Sequence, residues 1–518
     1  MKKIFNKNIA AITLLLVFTV SCKKSDLNTV NPNAQTTQTF WNTGDDAVKG
    51  INAVYGSLII DGSYMRFTPV IQNTRGDDAT SNSPWDQIYN CGKFNIISTG
   101  FTSSIAWTAY YQGVLRANEV LQYVPKINMD ADLKNRVLGQ AYFLRGLYYF
   151  HLADFYKNVP MPLTPAAGPA DYTAKQQPQS VVWQQVISDF KNAASLLPVS
   201  YANLGTVDNQ VGRATKGAAM AFLGKTYLFT KDFNNAATQF KAVIDLGVYS
   251  LMPNYYDNFF TNSENNAESV FEVQFTRDGG TDLGWGGDPG STWGHTSARA
   301  ITFGAFSFGF GDVQPTRALY NDYLLEPTKT GGVDPRLDVT MYYNKPGEML
   351  YGQSFAAAYA GSSSMSALFC HKYENGDSGQ PNEYDWRSGI NERMMRYADV
   401  LLMYAECLNE LGSTAQAYPY IQQVRDRANL ANLATISPGM TQSQMRDQIA
   451  HERFLEFSLE GHRFDDIVRW GWLQDPAKLA WLKSRDPEFN TYQPGREYLP
   501  IPLGELQTNP NVVQNPTY

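Results

Sequence analysis

Large apolar residues recur at the helical period through the first half of the chain. Trp107 to Val124 (WTAYYQGVLRANEVLQYV) and Asp132 to Phe155 carry them at i, i+3, i+4 and i+7, which predicts two amphipathic helices. Ser180 to Leu197 (SVVWQQVISDFKNAASLL) repeats the pattern, with Ser180 as a candidate cap and Pro198 as the stop. Helical periodicity holds from Phe40 to about Phe260. A second helical block is predicted from Arg393 to about Leu482, and it includes the run HERFLEFSLEGHRFDDIVRW. Between the blocks, from about 262 to 392, the period is lost. Gly, Ser, Asn and aromatics dominate there, as in Gly279 to Gly294 (GGTDLGWGGDPGSTWG) and Phe303 to Asp312 (FGAFSFGFGD), and predict loops with short strands. The Pro- and Asn-rich tail (EYLPIPLGELQTNPNVVQNPTY) should pack in extended form.

Two helix pairs carry a repeat signature. Leu223-Gly224-x-x-Tyr227 followed by Ala236-x-x-x-Phe240 has the spacing of a tetratricopeptide unit, with Met220 where Trp is usual. The small residues allow close helix approach while Tyr227 and Phe240 fill the groove. A degenerate echo follows as Leu401, Tyr404, Ala405 and Leu408, then Ala417, Ile421 and Val424. The expected fold is therefore mostly α, with tetratricopeptide-like repeats packed against an irregular, α-rich and loop-rich region containing few short strands. Residues 40–518 read as one domain, in a helical part 40–261, a Gly/aromatic part 262–392 and a helical part with tail 393–518.

The first residues have a different character. Lys2, Lys3 and Lys7 precede a mostly apolar run from Ile9 to Val20, too short for a membrane span of about 20 residues. Ser21 and Cys22 then end it, although Thr19 stands where a lipoprotein signal usually has Leu. Residues 1–21 read as a lipoprotein signal, Cys22 as the acylated new N-terminus, and residues 22–39 as a polar surface tether. Simple secretion with an incidental Cys22 is the alternative.

Composition narrows the chemistry. Hydrophobic residues make up 43 % and aromatics 13 % of 518 residues, enough for a sizeable core, while charged residues reach only 18 %. A net charge of −7 argues against a protein that binds nucleic acid by neutralising phosphates. Five histidines and four cysteines, without CxxC or HExxH, predict no metal centre, no cofactor and no disulfide framework. No GxSxG or Walker loop occurs, and the glycines at 284, 286, 287 and 290 have no strand–helix context for a phosphate. Glu452, Arg453, Glu456, Glu460 and Arg463 read as ion pairs within a helical stretch.

The stronger signal is aromatic rings in polar loops. Sugar rings stack apolar faces on Trp or Tyr and present hydroxyls to Asp, Asn and Arg. Asn73 to Tyr89 (NTRGDDATSNSPWDQIY) offers Arg75, Asp77, Asp78, Asn82, Trp85 and Tyr89, and the middle region adds Trp285 and Trp293. The expectation is an aromatic platform of Trp85, Trp285 and Trp293 with these polar partners. Trp107, Trp183, Trp470 and Trp481 lie on helical faces and are expected in the core. Asp77 and Asp78 raise the competing reading of a glycoside hydrolase, which needs two acids about 5–10 Å apart across a cleft. A protein-binding tetratricopeptide adaptor is the third reading.

An ordered series of segments carries a family resemblance. After Cys22 come Asp26-Leu27, Pro32, Phe40-Trp41 and Ala53-Val54-Tyr55. Arg116-Ala117-Asn118, Arg145-Gly146-Leu147-Tyr148-Tyr149, Val159-Pro160 and Gly212-Arg213-Ala214-Thr215-Lys216-Gly217-Ala218 follow. Then come the run RYADVLLMYAE from Arg396 to Glu406, the run VRDRA from Val424 to Ala428, Glu452-Arg453, the run EGHR from Glu460 to Arg463, and Gln514-Asn515-Pro516. The chain resembles the SusD/RagB family of surface glycan-binding lipoproteins of Gram-negative bacteria. That resemblance implies an outer-membrane, surface-exposed protein with four tetratricopeptide-like units and no enzymatic activity. It also implies oligosaccharide capture and a SusC-like TonB-dependent β-barrel transporter as partner.

Overall fold

The computed structural model describes residues 40–202, 204, 211–279 and 294–518; Cys22 with its leader and tether, and Trp285 and Trp293, lie outside the described residues. The first half is a run of helices: α1 (Gly44–Gly56), α2 (Phe67–Asn73), α3 (Asp86–Gly92), α4 (Phe101–Tyr123), α5 (Ala131–Tyr156), α6 (Gln179–Leu196), α7 (Lys216–Phe229) and α8 (Phe233–Asp245). Side-chain caps start several of them. Thr43 and Asp46 form a capping box on α1, and Asp130, Thr215 and Asp232 each accept from a first-turn amide of α5, α7 and α8.

Consecutive long helices run antiparallel and in contact. Arg145 meets Asn118 and Tyr156 meets Trp107 across α4 and α5, and the same end-to-end reversal relates α5 to α6. Glycine sets the spacing at two crossings. A Cβ on Gly113 would lie 2.3 Å from the Tyr148 ring, and one on Gly224 would lie 2.7 Å from the Phe240 ring. The predicted repeat pair α7/α8 is therefore real, with Phe240 seated on the face Gly224 leaves bare. Its echo is α10 (Tyr397–Glu410) against α11 (Thr414–Arg427), and α8 packs on α10 to join the two halves.

Several boundaries differ from the periodic reading. Helix α4 starts six residues before Trp107 because Gln87, from α3, accepts the Phe101 amide at 2.8 Å. Helix α6 starts one residue before Ser180, which caps nothing; Asn158 Oδ1 accepts the Gln179 amide at 2.9 Å instead. The second block does not open as a helix. Glu392–Arg396 is a buried strand, β4, paired antiparallel with β2 (Ser269–Val273). The run HERFLEFSLEGHRFDDIVRW is broken as well: α12 (Gln442–Glu456) stops, Leu459 and Gly461 turn with φ of 62° and 80°, and α13 (Arg463–Arg469) begins anew.

The charges of that run are paired, but across the molecule rather than within a helix. Arg336 Nη1 meets Glu452 at 2.7 Å and Glu456 at 3.0 Å. Arg396 meets Glu456 at 2.9 Å and Glu460 at 2.8 Å, and Arg427 also closes on Glu456. Burial opposes ionisation of Glu456, yet the guanidiniums of Arg427, Arg396 and Arg336 outweigh it and hold the carboxyl down at about 2.

The middle region holds short strands and helices, among them α9 (Arg317–Leu324), with β1 (Ala79–Ser81) paired antiparallel to β3 (Val313–Pro315). The tail is extended apart from a helical turn at Leu503–Thr508. Asn515 Nδ2 donates to the carbonyls of Tyr156 at 3.0 Å and Leu499 at 2.8 Å, fastening it to the end of α5. Trp107 and Trp183 are core residues as expected, but Trp470 is only half buried and Trp481 on α14 (Pro476–Arg485) is exposed. Cys91, Cys370 and Cys407 are buried free thiols. Among the described residues no helix is long and apolar enough to cross a membrane.

Candidate functional site

The loop between α2 and α3 is built on an interior anchor. Arg75 is buried, with Nε donating to the Ile71 carbonyl at 3.1 Å, Nη1 to the Glu497 carbonyl at 2.9 Å, and its guanidinium 4.2 Å from the Phe464 ring. Asp77 is fully enclosed between Arg463 Nε at 2.5 Å and Arg485 Nε at 2.6 Å. Burial works against its charge, but the two guanidiniums win and hold the carboxyl below the usual carboxylate range. Asp78 accepts the Leu459 amide at 3.0 Å, and burial pushes its carboxyl up to about 6. These three residues fasten the loop to α13 and α14. They cannot reach a ligand, and Asp77 with Asp78 cannot act as an acid pair in a cleft.

Past that anchor the loop turns outward. The Asn82 side chain is exposed while its amide donates to the Asp312 carbonyl at 2.7 Å, extending the β1–β3 pairing. Trp85 sits at the start of α3 and is 37 % exposed. Its ring centroid lies 5.6 Å from Phe67 and 6.1 Å from Phe101, and the Arg66 guanidinium stands 4.9 Å from it. Arg66 is itself fixed by a two-pronged bond to Asp61 at 2.7 and 2.6 Å. One turn on, Tyr89 is 43 % exposed with the Lys93 ammonium 5.0 Å from its ring. Tyr89 and Lys93 open onto a cleft of about 600 Å³ rimmed by Asn95, Thr491 and Arg496.

The β3 side of the β1–β3 seam carries rings that only the alternation of Gly and Phe in the middle region hints at. Phe306 is 56 % exposed, and Phe310 is partly exposed and packs on Trp386 at 5.1 Å and Tyr384 at 6.2 Å. Tyr384 is exposed too. Asp312 lies between the two sides. Its carboxyl is buried, which raises its pKa against the opposing influence of Ser83 and Arg66, and its Oδ1 has no hydrogen-bond partner. A buried acceptor left unmet costs about 1–3 kcal/mol unless something donates to it.

Trp285 and Trp293 cannot be placed. The described residues that flank them are held beside the same rings: the Thr276 amide donates to the His295 carbonyl at 2.9 Å, and Arg277 bonds to the Arg387 carbonyl and pairs with Asp385. A separate cleft of about 400 Å³ is walled by Trp470 and Trp472, between the Arg446–Glu410 and Lys478–Asp447 pairs. Neither ring is marked by loop-type sequence around it. The one compact group of metal-type ligands among the described residues, His371 with Glu374 and Asp377, lies in the turn preceding Tyr384.

The two sides of the seam therefore carry exposed and half-exposed rings, with Asp312 buried between them. Such rings suit stacking and hydrogen bonding.

Comparison with known proteins bears on the family and the fold. The model of the SusD family matches residues 246–518, and one described as "Starch-binding associating with outer membrane" matches residues 48–228. SusD-like protein P25 of Formosa agariphila is 25 % identical over 507 residues, covering 92 % of each chain. A SusD superfamily protein from Bacteroides vulgatus superposes with a TM-score of 0.81 at 28 % identity, over 93 % of this chain and all of that one. A laminarin-binding SusD-like protein superposes with a TM-score of 0.73 at 26 % identity, over 92 % of this chain and all of its own.

Proposed function

Because the chain belongs to the SusD family, we propose that it binds an oligosaccharide across the β1–β3 seam and releases it unchanged. Trp85, Phe310 and Tyr384 are the stacking surfaces, and the exposed Asn82 side chain is a hydroxyl partner. Tyr89 with Lys93 extends the surface into the adjoining cleft. Trp285 and Trp293 are further proposed stacking residues, on the chemistry of their Gly-rich segment. The observation that carries this reading is the exposure of Trp85 beyond β1, of Phe310 ahead of β3, and of Tyr384 packed on Phe310. Ring faces of this kind cover the apolar side of a sugar while its hydroxyls bond to the polar side chains beside them.

The same reading places the protein at the outer-membrane surface, held by acyl chains on Cys22, with a SusC-like TonB-dependent β-barrel transporter receiving the ligand. The lipoprotein-type leader and the description of the second family model support that placement. The laminarin-binding relative makes laminarin the first probe, with starch-derived maltooligosaccharides second and a glycan array beyond them.

Calorimetric titration tests the site. Trp85→Ala, Phe310→Ala and Tyr384→Ala should each weaken binding of the preferred glycan by about 1–3 kcal/mol, with melting within a few degrees of wild type. Wild-type affinity in all three variants would move the site elsewhere. Absence of binding to any glycan on the array would remove the functional reading itself.

A further inference from the structure

We propose that His371, Glu374 and Asp377 form a binding site for a single divalent cation of the zinc type. The three residues follow at i, i+3 and i+6 through a tight turn, and one donor atom from each lies within 4.8 Å of the others. His371 Nε2 is 2.9 Å from Asp377 Oδ2 and 3.8 Å from Glu374 Oε1. Those separations match the edges of a coordination polyhedron with bonds of about 2.0–2.2 Å.

The surroundings orient these ligands as metal sites require. His371 Nδ1 lies 2.7 Å from the Asp338 carbonyl and donates to it, while Nε2 faces Asp377 Oδ2 at 2.9 Å, and a metal ion would take the place of the Nε2 proton in that contact. The imidazole is clamped flat against Tyr342, ring centroids 4.1 Å apart. Tyr342 also donates to Glu374 Oε1 at 2.7 Å, the Gly376 amide donates to Glu374 Oε2 at 2.6 Å, and the Tyr256 hydroxyl donates to Asp377. Every ligand thus has an outer partner, and Asp377 leaves one side open to solvent for entry.

Charge supplies a second, independent reason. Several buried glutamates are closed by cationic side chains, Glu268 and Glu456 by Arg396 and Arg427 and Glu392 by Arg299, whereas buried Glu383 is met by the neutral Tyr351 and Asn375. Glu374 is 2 % exposed and has neither Lys nor Arg against it. With Asp377 it places two carboxylates around one imidazole, one negative charge more than a protonated His371 balances, and a divalent ion there would cover both carboxylates. Bound there, the ion would tie the turn to the segments carrying Tyr256 and Tyr342.

Titration of metal-free mature protein with zinc chloride, followed by calorimetry and thermal melting, decides this. Wild type should take up one zinc per chain in the micromolar range or tighter, with a raised melting temperature. His371→Ala and Asp377→Asn should each weaken uptake at least tenfold, and His451→Ala should not. Uptake by His371→Ala equal to wild type, or no saturable uptake by wild type, overturns the proposal. Should the variants misfold, X-ray absorption on zinc-loaded wild type must show one imidazole nitrogen with oxygen neighbours; an all-oxygen shell overturns it. None of these readouts depends on glycan binding, so the seam and the metal site stand or fall separately.

Discussion

Two residues show how burial sets ionisation in this molecule. His151 is buried among Tyr64, Tyr110 and Phe155, with Nε2 2.7 Å from the Tyr64 hydroxyl, and burial together with Lys225 lowers its pKa to about 3. His462 is buried as well, and burial brings it down to about 4 despite the nearby Asp399. A folded pKa below the unfolded value of about 6.5 means that each histidine's contribution is complete above pH 6.5. It is lost as pH falls from there toward 4 for His462 and 3 for His151. The imidazole signals of both should therefore stay neutral in NMR titration from pH 7.5 to 5. The stability advantage of wild type over His151→Gln should also shrink by about 2 kcal/mol between pH 7 and pH 5. Titration of either ring near pH 6.5 would contradict this. The candidate site shows the limits of residue-level reading in the same way. Exposure of Trp85, Tyr89 and Asn82 follows from their loop of small and polar neighbours. Arg75, Asp77 and Asp78 have the same neighbours but are interior, because Arg463, Arg485 and the Glu497 carbonyl lie nearly 400 positions away. No local pattern announces such partners.

Elements were legible wherever periodicity and tertiary packing agree. Helix α5 has an apolar face at helical spacing and a side-chain cap in Asp130, so its limits, Ala131 and Tyr156, fall one residue outside the pattern at each end. Helices α7 and α8 hold the repeat-motif residues on two capped helices. Helices α4 and α6 extend beyond the pattern because Gln87 and Asn158 supply the caps from elsewhere. Strand β4 reads as helix because all five of its residues are buried, leaving no alternation to reveal the extended backbone. The repeat pair is the strongest element-level prediction. Gly224 has the Phe240 ring 2.7 Å from where a Cβ would sit, so Gly224→Leu must push α8 off α7 or force Phe240 out of its rotamer. Destabilisation of about 1–3 kcal/mol is expected, read as a drop in melting temperature with glycan binding retained below it. Unchanged melting would mean that the two helices do not meet through Gly224.

At the scale of the whole molecule, two arrangements act together. Arg336, Arg396 and Arg427 converge from the middle region, β4 and α11 on the carboxylates of Glu452, Glu456 and Glu460, so the irregular region and the helical block share one buried ion network. Breaking such a network leaves uncompensated charge in the interior. The second arrangement concerns where the molecule is held. Loss of Lys2, Lys3 and Lys7 with the leader would take the net charge from −7 to −10 (−7 − 3). A protein of that charge is repelled by anionic lipid headgroups, so electrostatics cannot retain it at a membrane. Acyl chains can, at about 0.8 kcal/mol per buried CH₂, with two or more chains needed for stable attachment. Attachment through Cys22 therefore predicts a retention that is insensitive to salt and wholly dependent on one thiol. In fractionated cells, wild type should remain with the outer membrane through a high-salt wash. Cys22→Ala should appear in the soluble fraction with its glycan affinity intact, since the seam lies within the folded frame and not in the tether. A Cys22→Ala protein that stays with the membrane in high salt would show that something other than lipid holds it there.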